Sequence, residues 1–254
     1  MMRLGLVTYN LAHDWNLQKL ISECESAGFE GVELRTTHGH GVEPALSDRE
    51  REAVRETFEN TDIVLWGLGT TCEYHSPDPD DVNRNIQETF DFVDLAKDVG
   101  ARGVKVRPNG LPEDVPVDDT LQQIGEALNQ CGDYAADAGV EIWLEVHGRE
   151  TSHVPYIRTI MDVADHDTVK VCWNSNDTDI VDGSITENFE LLKDKIGSVH
   201  MRALHLDYPW HELFAGLKSI GYEGFCLAEI PESDDPERVM LYYRALWDCL
   251  TASA

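Results

Sequence analysis

Short apolar, β-branched segments alternate along the whole chain with longer stretches in which apolar residues recur every three or four positions. The short segments predict strands at residues 4–8, 31–35, 63–68, 103–107, 141–146, 169–173, 198–201 and 225–229. The intervening stretches predict helices with recognisable ends. Asn16 caps a first helix whose Leu17, Leu20, Ile21 and Cys24 form one face and which stops at Gly28. The same reasoning places helices at 47–60, 81–99, 119–138, 152–164, 186–195, 210–220 and 236–250. Gly100 and Gly139 stand where two of them must stop before the chain turns back into a strand.

Eight β/α pairs in 254 residues have the size and rhythm of a single (β/α)8 TIM barrel spanning residues 1–254. A doubly wound open sheet is the architectural rival, but Thr8-Tyr9-Asn10 follows the first strand where a glycine-rich dinucleotide loop would stand. No linker, repeat or low-complexity segment divides the chain, and residues 78–81 and 108–116 read as surface loops.

Composition narrows the partners. No apolar run approaches the roughly 20 residues of a bilayer-spanning helix, and the first residues turn polar too soon for a secretory signal. Six cysteines are scattered singly with no CxxC pair, which suits free thiols in a reducing cytoplasm. With 20 Lys+Arg against 48 Asp+Glu the net charge is −28, so neither nucleic acid nor an anionic membrane is an expected partner. The acids are spread over helices and loops and predict a solvated acidic surface whose stability rises with salt. A homo-oligomer remains open.

Strands of a parallel barrel are buried on both faces, so charges inside them are expensive unless paired, hydrated at the mouth or bound to metal. Here charges gather at strand C-terminal ends: Glu33 and Arg35, Lys105 and Arg107, Glu145 and His147, His200 and Arg202, and Glu229. Residues two apart on a strand share a side, and strand C-terminal ends face the catalytic mouth of a barrel. Glu33/Arg35 and Lys105/Arg107 also fit internal ion pairs. Glu145, His200 and Glu229 together are suitable donors for a divalent cation, and Asn174 is the side chain leaving the sixth strand beside them.

The ordered set Glu145, Asn174, His200, Glu229, at intervals of 29, 26 and 29 residues, resembles the xylose isomerase-like barrels, a family that includes sugar-phosphate isomerases and epimerases and apurinic endonucleases. Leu144-Glu145-Val146-His147-Gly148, Val199-His200-Met201-Arg202 and Gly221-Tyr222-Glu223-Gly224-Phe225 before Glu229 strengthen the likeness. The resemblance implies a divalent ion (manganese, magnesium, cobalt or zinc) held by Glu145, Asn174, His200 and Glu229. It also implies that Glu145 and Glu229 are an acid/base pair moving a proton next to the carbonyl of a sugar or sugar phosphate through an enediolate. His147, Arg202, Arg107, Lys105 and Asn176 are then expected to touch the substrate.

The family usually has Asp where this chain has Asn174, which offers a carbonyl oxygen without charge and predicts weaker metal binding unless Asn176, Asp177 or Asp179 compensates. A sugar-binding barrel without catalysis is therefore one alternative. An apurinic endonuclease-like phosphodiesterase is the other, and it lacks both a histidine after the sixth strand and a basic track. His38, His40 and His75 lie in loops that could cap the mouth.

Overall fold

The computed structural model describes residues 2–254. The chain runs β1 (Arg3–Val7), α1 (Leu17–Ala27), β2 (Gly31–Arg35), α2 (Asp48–Glu59), β3 (Val64–Glu73), α3 (Pro79–Val99), β4 (Gly103–Arg107) and α4 (Val117–Ala138). It continues through β5 (Glu141–Glu145), α5 (Val154–Val163), β6 (Val169–Asn174), α6 (Thr186–Leu192), β7 (Ile196–Met201), α7 (Trp210–Ser219), β8 (Phe225–Ala228) and α8 (Pro236–Ala252). The strands pair in parallel in chain order, and β1 closes the ring against β8 with Leu4 opposite Cys226. The expected (β/α)8 barrel is thus the observed one.

Local chemistry explains the element ends. Asn16 accepts from the Lys19 amide at 2.9 Å to start α1, and Gly28 stops it in the left-handed region at φ 73°. Residues 78–81 are not a free loop: the Asp78 side chain caps α3, and Pro79 takes its first turn, where a missing N–H costs nothing. The helix expected over 186–195 ends at Leu192 and tightens into a 3-10 turn over Lys193–Lys195. β3 extends past residue 68 to Glu73, whereas β8 ends at Ala228 with the Glu229 amide still bonded to the Met201 carbonyl at 2.8 Å.

Aromatic side chains fill the floor of the barrel. The Trp143 indole stacks on Trp66 with ring centres 5.4 Å apart and lies against the backbone of Gly67 and Gly103, where any Cβ would sit 2.5 Å from the ring. Phe225 packs on Trp66 with ring centres 5.1 Å apart and completes this plug. Cys24, Cys72, Cys131, Cys172 and Cys226 are buried free thiols, and Cys249 on α8 is exposed. Among the described residues no helix is long and apolar enough to cross a membrane.

Candidate active site

The C-terminal ends of the strands enclose a cavity of about 440 Å³. Glu33 of β2, Lys105 of β4, Glu145 of β5, Asn174 of β6, His200 of β7 and Glu229 just after β8 line its base. Arg35, Arg107, His147, Asn176 and Arg202 stand higher along the same strand ends and in the loops that follow. Every residue expected at the site is therefore brought to one cavity.

Bonds at the base run between strands rather than along them. The Lys105 ammonium donates to Glu145 Oε2 at 2.8 Å and to the Thr70 carbonyl at 3.4 Å. Asn174 Nδ2 donates to Glu145 Oε1 at 3.2 Å. His200 Nε2 lies 3.1 Å from Glu33 Oε2, which supplies the ring's partner that the sequence alone leaves unassigned. Glu33 and Arg35 do not pair with each other; Glu33 meets His200, and the two cations Lys105 and Arg107 find their carboxylates, Glu145 and Glu73, on neighbouring strands.

His200 Nδ1 is buried without a hydrogen bond and stands 3.5 Å from both Glu145 Oε1 and Glu229 Oε1. Glu145, His200 and Glu229 each offer a donor atom, and these lie within 4.8 Å of one another. An imidazole nitrogen left unbonded in front of two carboxylate oxygens, with its other nitrogen oriented by a carboxylate, is a donor set that fits a divalent cation.

The electrostatics follow from burial and neighbours. Burial by itself raises the Glu145 carboxyl, but Lys105 and then His200 reverse this and hold it well below the usual carboxylate range. Burial opposes charge on Lys105, yet Glu145 and Glu33 raise its pKa above the ordinary lysine value. Burial likewise opposes charge on His200, and Cys172, Glu33 and Glu145 outweigh it and push the ring well above its ordinary value. His147 is lowered, by burial first and by Lys105 and Arg107 next.

Asn174 presents its amide nitrogen to Glu145 in this arrangement, and its neighbours do not make up for the missing charge. Asn176 Nδ2 is engaged by the Val146 carbonyl at 2.7 Å and holds the loop after β6 in place. Asp177 is turned outward to Arg202 Nη1 at 2.7 Å. Asp179 is buried away from the cavity, accepting from Tyr208 and the Asn176 amide at 2.8 Å each. Of the three residues that could compensate, Asn176 is thus held by the Val146 carbonyl, Asp177 by Arg202, and Asp179 by Tyr208 and the Asn176 backbone amide.

Lys105 is buried and ion-paired, while Arg107 reaches Glu73 Oε2 at 3.3 Å. His38 bonds Thr8 at 3.0 Å and His40 the Arg35 carbonyl at 2.8 Å, so both buttress the loop after β2. His75 lines a separate cavity with Glu73 and Asn109. Sequence reasoning missed the partnership of Glu33 with His200; its one signal was a carboxylate in the interior of a buried strand. It also left Arg35, whose guanidinium lies 4.9 Å from the Tyr9 ring centre, outside the site.

A family model described as xylose isomerase-like TIM barrel matches residues 21–246. The chain belongs to this family. Among xylose isomerase-like barrels, it is 22% identical to the D-psicose 3-epimerase of Agrobacterium fabrum (strain C58) over 250 residues, covering 90% of this chain and 84% of that one. The fold of an L-ribulose 3-epimerase superposes with a TM-score of 0.84 at 17% identity, over 100% of this chain and 95% of the other. The IOLI protein, solved with a bound zinc atom, superposes with a TM-score of 0.78 at 18% identity, over 99% of this chain and 98% of the other.

Proposed function

We propose that this barrel is a divalent-metal-dependent sugar isomerase or epimerase that moves a proton on the carbon next to a carbonyl. The observation that carries the reading is the unbonded Nδ1 of His200 facing Glu145 and Glu229 at 3.5 Å at the mouth of the barrel. The similarity to sugar epimerases and to a zinc-containing barrel supports the same class.

Glu145, His200 and Glu229 would hold the ion, with Asn174 able to add its carbonyl oxygen after an amide turn. Bound there, a divalent ion supplies Lewis-acid polarisation of a carbonyl and stabilises the negative charge that grows on oxygen as the neighbouring C–H ionises. The two glutamates are not equivalent. Glu145 is anchored by Lys105 and Asn174 and is 5% exposed, whereas no side chain among the described residues donates to Glu229, which is 22% exposed. Glu229 is therefore the carboxylate with freedom to reach a substrate proton, and Glu145 the one held in place. Glu33 keeps the His200 ring oriented, and His147 and Arg202, which line the same cavity, would meet substrate hydroxyls.

The test is exchange of solvent deuterium into a panel of ketoses by manganese-loaded protein. Glu229→Gln is expected to lower exchange by about 10²–10⁴-fold, the usual worth of a general base. Full exchange in both Glu229→Gln and Glu145→Gln rejects the assignment.

The Lys105–Glu145 pair, which competes with a cation for the carboxylate, favours a second reading: sugar binding without turnover. Metal uptake only at millimolar concentration, with no exchange in any ketose, selects it.

A further inference from the structure

The cavity differs in charge from the rest of the molecule. Four basic side chains, Arg35, Lys105, Arg107 and Arg202, face four carboxylates there, whereas the chain as a whole carries 20 basic residues against 48 acidic ones. Basic groups are scarce in this protein, yet a fifth of them converge on one mouth.

Their partners are unequal. Lys105 is committed to Glu145. Arg107 and Arg202 leave Nε buried without a partner, and each meets only one carboxylate: Glu73 at 3.3 Å, and Asp177, which is itself 84% exposed. A pair with so exposed an acid is weak and readily exchanged for another anion. Arg35 pairs with no carboxylate among the described residues; its guanidinium rests over the Tyr9 ring, half-buried, at the cavity wall. In a chain with so large an excess of acid, an arginine held against an aromatic face without a counter-ion is a planar five-donor fork kept ready for a ligand oxyanion.

We propose that the substrate of this cavity is an anionic sugar, a keto sugar bearing a phosphate or carboxylate group, and that Arg35 is the specificity-determining residue that receives this group, with Arg107 and Arg202 flanking it. The proposal deepens the isomerase or epimerase reading and rests on it for the sugar, but the anion subsite is a property of Arg35 that binding alone reports.

The experiment is calorimetric titration of metal-free protein in 0.1 M salt with D-fructose, D-fructose 6-phosphate and D-fructuronate, and with inorganic phosphate as competitor. At least one charged sugar is expected to bind tenfold or more tighter than fructose, and phosphate to displace it. Whichever of the two wins identifies the anionic group. Arg35→Ala is expected to remove that advantage by about tenfold or more, and Arg35→Lys to restore part of it, since an ammonium keeps the charge and loses the fork. A neutral ketose bound as tightly as both anions, or an anion advantage unchanged in Arg35→Ala, overturns the proposal. Deuterium exchange, read separately, reports on the reaction: anion preference without exchange retains the subsite and rejects the enzyme, and exchange without anion preference does the reverse.

Discussion

Glu33 is fully buried, and its Oε1 has no hydrogen-bond partner while Oε2 meets His200 Nε2 at 3.1 Å. Such a carboxylate fixes the tautomer and direction of the imidazole, so Glu33→Ala is expected to weaken manganese binding by about 10–100-fold, measured by titration calorimetry. Asn174→Asp is expected to act in the opposite direction, adding a charged donor beside Glu145 and tightening the same titration. Unchanged affinity in both variants rejects the cluster as a metal centre. At this scale the sequence was legible in part. Glu145, His200 and Glu229 could be picked out because charge at the end of a buried strand has few explanations. Who bonds whom could not: Lys105 and Glu145 are 40 residues apart, and Glu33 and His200 are 167 apart, so those partnerships exist only once the ring closes.

Among the elements, helix ends were readable where a glycine or a cap marks them, and strand ends were unreadable where pairing alone extends them. β3 runs on through Gly69-Thr70-Thr71-Cys72-Glu73, which has little apolar signature and is held by partners such as Arg107 opposite Glu73. Strand packing is tight at the floor, so Gly103→Ala, which drives a methyl to 2.5 Å from the Trp143 ring, is expected to cost about 1–3 kcal/mol in urea unfolding. The loop after β6 carries a different signature. Asp179 is pushed up to about 7, by burial above all, against the opposing bonds from Tyr208 and Asn176. A carboxyl whose proton is held more tightly folded than unfolded lends stability below its unfolded value of 3.8, and that contribution is lost as pH rises toward about 7. Unfolding midpoints are therefore expected to fall across that window and to flatten in Asp179→Asn, which keeps an acceptor for Tyr208. An unaltered slope in the variant removes Asp179 as the cause.

The whole molecule carries −28 charges on one closed barrel, and self-repulsion of that size opposes the compact state. Thermal midpoints are expected to rise between low and molar sodium chloride as screening shortens the reach of each charge to about 3 Å. A flat response removes repulsion as a significant term. The barrel's burial of five thiols and exposure of Cys249 alone has a practical consequence. In native buffer a maleimide dye should couple once per chain, near the C-terminus on the outer helical ring, while denaturant should open all six sulfurs. The fold has in effect installed a single chemical handle, and the same lone sulfur is where air would join two copies covalently.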